Sequence, residues 1–108
     1  MPAPLPLSAP AARALAKLGH DVALARRRRR LTQASLAERA GIARKTLTRL
    51  EKGDPKVALE YLARVLHVLG EVGRLEQLLD TGADEAGLLM MDENLPQRVR
   101  ARKSTGAW

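Results

Sequence analysis

The chain has no cysteine and no phenylalanine, and only one tyrosine (Tyr61) and one tryptophan (Trp108) in 108 residues. Without thiols it can build neither a disulfide framework nor a thiolate metal site, a composition suited to the reducing cytoplasm. With so few aromatics, its basic half offers no platform on which single-stranded nucleic acid could stack. No apolar run approaches the roughly 20 residues that cross a bilayer. The opening MPAPLPLSAPAARAL holds four prolines and lacks a basic start, so residues 1–10 read as a flexible lead-in rather than a signal peptide. Catalytic groups are equally scarce. His20 and His67 are far apart and project to solvated faces, Ser8, Ser35 and Ser104 have no base near them in sequence, and no Gly-rich loop is present to cradle phosphate. Neither an enzyme nor a metal or organic cofactor is expected.

What is abundant is Leu, Ala and Val at helical spacing, which predicts an all-α chain, and arginine. The charge is segregated. Over residues 13–56 Lys and Arg outnumber Asp and Glu 13 to 4, residues 57–95 reverse this to 2 against 8, and residues 96–108 add four cations. A basic front raises encounter with polyanions, whether DNA, RNA or anionic lipid.

The periodicity predicts a first helix over residues 11–30 with Leu15, Leu18, Val22 and Ala25 inward, weakened midway by Gly19. Five consecutive arginines cannot share one helical face, so Arg27 to Arg30 read as a solvated turn. Arg26, four residues after Val22, flanks the buried stripe and calls for a carboxylate partner. A second helix starts at LTQASL, where Thr32 can cap and Leu31 and Leu36 form a staple, and it runs to Ala40. A third begins at Ala43 or Arg44 and stops at Gly53-Asp54-Pro55. A fourth, over 57–69, turns Leu59, Leu62, Leu66 and Leu69 inward. Its second stripe, Tyr61, Val65 and Val68, is either the edge of a wide buried face or a dimer seam. A fifth, over 74–80, is expected to bury Leu75, Leu78 and Leu79. Residues 84–94 read as a short helix or a strand, and residues 98–108 as a disordered basic tail.

In QASLAERAGIARKTLTRLEKG a small residue (Ala37), a glycine able to reach positive φ (Gly41) and inward aliphatics (Ile42, Leu47, Leu50) meet the needs of two helices crossing at a tight turn. The opposite face of the third helix can be read independently. With Arg44 at 0°, steps of about 100° put Thr48 near 40°, Lys45 near 100° and Arg49 near 140°, while Leu50 and Leu47 fall near 240° and 300°. The outward set is rich in donors for base edges in a major groove, and no acid falls among it.

The segment RRRRRLTQASLAERAGIARKTLTRLEKGDPKVALEYLARVLHVLG resembles the lambda-repressor-like, Cro-type helix-turn-helix family, often called XRE. The resemblance implies a five-helix double-stranded-DNA-binding domain over 11–81 with Arg44, Lys45, Thr48 and Arg49 at base edges. It further implies phosphate contacts from Gln33, Thr46, Lys52 and Lys56, and a structural ion pair between Arg26 and Glu51. Ala43 departs from the Ser or Thr cap usual there. The stretch from EKGDPKVALEYLARVLHVLG through DEAGLLMMDENLPQRVRARK is similar to antitoxins of HipA-type kinases, called HipB-like. That likeness implies an autorepressing homodimer on an inverted repeat, a kinase toxin as partner, and a dimerisation or partner-binding extension at 82–97. A stand-alone or phage-type repressor is the alternative, and an RNA-binding or adaptor protein the rival of another class. The basic tail with Trp108 is either a solubilising end or a contact for DNA or a partner.

Overall fold

The computed structural model describes residues 5–81 and 85–94; the tail expected at 98–108 lies outside the described residues. Among these the chain is all-helical: α1 (Ala9–Arg28), α2 (Gln33–Ala40), α3 (Arg44–Glu51), α4 (Leu59–Leu69), α5 (Val72–Glu76) and α6 (Glu85–Asn94). A first compact unit ends at Leu75 and a second begins at Glu76.

Helix α1 starts two residues earlier than its periodicity predicts because Ser8 caps it, its Oγ accepting from Ala11 N at 3.3 Å, and Pro10 suits the first turn. It ends two residues earlier because Arg30 turns to a φ of 57°, after which Leu31 N donates back to Arg26 O at 3.1 Å. Its fully buried face is Gly19, Val22, Ala23 and Arg26; of the expected stripe Val22 is buried, Leu18 and Ala25 pack half-buried against the core, and Leu15 is half-buried. The closest approach to α3 runs along the smallest side chains, and a Cβ on Gly19 would lie 2.5 Å from Leu50 O. Gly19 is therefore a crossing point and not merely a weak spot in the helix.

Helix α2 is fixed at both ends. Thr32 Oγ1 accepts from Ser35 N at 3.0 Å. At the other end Gly41 adopts φ 73°, so that Ile42 N reaches Ala37 O at 3.0 Å. Helix α3, two turns long, begins at Ala43 without a side-chain cap. So short a helix has little stability of its own and depends on its packing. It lies against α1, α2 and α4, and Leu47, fully buried, and Leu50 join Val22, Leu36, Ala37, Val65 and Leu69 in one core.

Helix α4 corrects the assignment of its two stripes. Val65 is 0% exposed and Leu69 4%, while Leu59 is 75% exposed. On a wheel with Leu62 at 0°, Val65 falls near 300° and Leu69 near 340°, between the two stripes, so the buried face is centred on their boundary. Val65 therefore cannot line a dimer seam, because it is sealed inside its own chain. Tyr61 and Val68 are half-buried at the edge of that face. Helix α5 spans five residues and ends at Glu76, so the stripe that would bury Leu78 and Leu79 is not continued. They are 73% and 87% exposed, and only Leu75 is half-buried. In the second unit, residues 85–94 form a helix, on which Leu89 and Met90 are exposed.

Candidate nucleic-acid interface

The outward face of α3 is held from behind by an ion pair. Arg26 Nε donates to Glu51 Oε2 at 2.7 Å and Nη2 to Oε1 at 3.1 Å, while Nη1 donates to Leu31 O at 2.9 Å. The two side chains are only 10% and 7% exposed. One guanidinium thus joins α1, the turn before α2 and the last turn of α3. Each of its three nitrogens has an acceptor, as a buried charge requires, and no buried side-chain nitrogen or oxygen among the described residues lacks a partner.

Gln33, at the start of α2, extends this arrangement towards the surface. Its Nε2 donates to Glu51 Oε1 at 2.9 Å, and its Oε1 lies 3.3 Å from Thr48 Oγ1, which is also 3.1 Å from Arg44 O. Half of the Gln33 amide donor capacity is therefore used inside the protein, and a phosphate could take only the second N–H. Thr48 is half-buried and oriented by these acceptors.

Arg44 and Lys45 are exposed, and neither side chain takes part in an ion pair among the described residues. Arg49 is also outward, but its Nε donates to Asp54 Oδ2 at 2.8 Å. Asp54 is fixed in turn, Oδ1 accepting from Lys56 N at 2.9 Å. The Lys56 N–H, and after it the Arg49 guanidinium, hold the Asp54 carboxyl below the ordinary aspartate value. Thr46 is half-buried, and Lys52 and Lys56 are exposed beyond the end of α3. Leu47 and Leu50 face the core from the opposite side. The face thus presents cations and a hydroxyl on a helix anchored by its ion pair and its core leucines, a set of groups of the kind able to hydrogen-bond base edges and phosphates.

Three features of this region are not evident from helical periodicity. Gly53, at φ 80°, brings the end of α3 against α1, where its Cβ would lie 2.6 Å from Ala16 Cα. Arg64 Nη1 donates to Ala40 O at 3.4 Å, closing the end of α2. The Arg49–Asp54 pair spans five residues across a glycine turn, a spacing that no helical repeat signals. Only the DP sequence after Gly53, which marks a tight turn with a carboxylate in it, could have pointed there.

No group of His, Asp or Glu among the described residues could hold a metal ion, and no described helix is long and apolar enough to cross a membrane. No curated protein matches the chain. A family model described as helix-turn-helix matches residues 22–77, just over half of the chain, and takes in α2, the Gly41 turn and α3 together with the helices that brace them. With that match and this geometry, the chain belongs to the Cro/XRE-type helix-turn-helix family and is a DNA-binding transcription regulator.

Proposed function

We propose that this chain is a sequence-specific repressor, acting in the cytoplasm on the nucleoid, that binds an inverted-repeat operator as a homodimer. The observation that carries this reading is the outward face of α3, with Arg44 and Lys45 unpaired on a helix clamped by Arg26 and Glu51. Two copies would set their third helices in successive major grooves, on half-sites about 10 bp apart or a multiple of that. Apolar groups available for pairing include the half-buried Tyr61 and Val68 and the exposed Leu59 in the first unit and, separately, the exposed Leu78, Leu79, Leu89 and Met90 in the second.

Selection from random duplexes tests the reading. The full chain should enrich a two-fold symmetric site. Arg44→Ala should then cost about 1–3 kcal/mol, confined to particular base pairs, whereas Lys52→Ala should weaken all sequences alike and lower the salt slope by about one. If Arg44→Ala leaves affinity and base preference unchanged, α3 is not the reading helix.

Within this function the resemblance to HipB-like antitoxins favours an autorepressor that also neutralises a HipA-type kinase. The excess of acids over residues 57–95 supports it, since such a surface repels DNA and suits a protein partner. Copurification from the native host separates the readings: a kinase recovered with the chain and its operator supports the antitoxin role, and operator DNA alone supports a stand-alone repressor.

A further inference from the structure

We infer that Asp54 is a specificity-determining positioning residue, whose carboxylate grips Arg49 through Nε and so aims the two Nη groups outward as a fixed fork for a guanine edge. The inference rests on the reading that α3 lies in a major groove. Arg49 offers five N–H donors, and Asp54 takes the one on Nε at 2.8 Å. The four on Nη1 and Nη2 remain, and a parallel pair of them matches guanine N7 and O6. The carboxylate cannot swing away with its guest. Its Oδ1 is held by Lys56 N at 2.9 Å, and Asp54 N donates to Arg49 O at 3.1 Å, because the Gly53 turn folds residue 54 back over the last turn of α3.

Such a partner acts oppositely on two affinities. It reduces the rotamer freedom that Arg49 loses on binding a matched base, which favours the correct site. It also offsets the guanidinium charge, which weakens attraction to the phosphates of any sequence. An ordinary surface ion pair would do neither and would add little to stability. The side chains are 44% and 31% exposed, so the pair stands where DNA can reach it.

The test uses the full chain, a site selected from random duplexes, that site with single base pairs changed, and an unrelated duplex, titrated over a range of salt. Asp54→Asn removes the charge but keeps an oxygen for Lys56 N–H; Asp54→Ser does so with a different side chain, should the first variant fail to fold. Either should reduce discrimination at one base pair by about fivefold or more, the base pair at which Arg49→Ala also relaxes preference. Affinity for the unrelated duplex should rise about two- to threefold and its salt slope steepen, while the melting temperature stays close to that of the parent. Unchanged discrimination in a folded Asp54 variant overturns the inference. If Arg49→Ala relaxes one base pair and Asp54→Asn does not, Asp54 alone loses its role. If Arg49→Ala changes no base preference, Arg49 reads no base and this inference falls while Arg44 can still carry the groove reading; if the parent chain enriches no site, the groove reading falls and takes this inference with it.

Discussion

Replacing Glu51 by alanine is expected to lower the unfolding free energy by about 3–5 kcal/mol, the cost of leaving a buried charge without its partner. Arg26 stays where α1 puts it, its side chain 10% exposed, and Nε and Nη2 lose both carboxylate oxygens at once. Gln33 loses its acceptor as well. The cost of desolvating the guanidinium is then no longer offset by the carboxylate. Urea denaturation of Glu51→Ala, Arg26→Met and the double variant measures this. The double variant should recover much of the loss, because an apolar side chain tolerates the site where a lone charge does not. A loss below about 1 kcal/mol in Glu51→Ala would mean that the pair behaves as an exposed one.

Gly53→Ala carries the second large effect, about 2–5 kcal/mol. The backbone at 53 has φ 80°, which costs a residue with a Cβ roughly 1–2 kcal/mol. The added carbon would also meet Ala16 Cα at 2.6 Å and Ala16 N at 2.9 Å. Both are backbone atoms that cannot rotate aside, so α1 and α3 must separate, an overpacking cost of about 1–3 kcal/mol. Gly70 provides the control. It has the same φ of 80° with nothing within 4 Å of the position a Cβ would take. Gly70→Ala should therefore show the backbone cost alone, about 1–2 kcal/mol, and the difference in thermal denaturation between the two variants isolates the crowding. Equal losses at the two positions would show that α1 yields at Ala16.

The helix-turn-helix itself was legible because its determinants are local. Thr32, Gly41 and the spacing of Leu47 and Leu50 act within one or two turns of chain. The demand of Arg26 for a carboxylate was legible from its place beside Val22. The carboxylate itself lies 25 residues away, and only the family resemblance named it. What periodicity could not decide was the direction in which a doubly apolar helix faces. On α4 two stripes compete, and the choice of Val65 and Leu69 depends on where α2 and α3 already lie. The same limit applies to Leu78 and Leu79, whose burial required α5 to continue past Glu76. The roles of Gly19 and Gly53 and the Asp54 grip on Arg49 depend on neighbours brought close by the fold, and a residue's own type carries no record of them.

The four outward positions of α3 differ in how freely they can change during evolution. The side chains of Arg44 and Lys45 are exposed and form no ion pair among the described residues, so on the proposed reading of α3 a duplicated gene could drift to a new operator through single substitutions there with little effect on the fold. Thr48 and Arg49 are tied to Gln33 and Asp54. A change at Thr48 leaves the Gln33 Oε1 acceptor without its donor, and one at Arg49 leaves the Asp54 carboxylate without its cation, until a second mutation compensates. Divergence among copies of this chain should therefore begin at 44 and 45, with changes at 48 and 49 arriving later and in pairs.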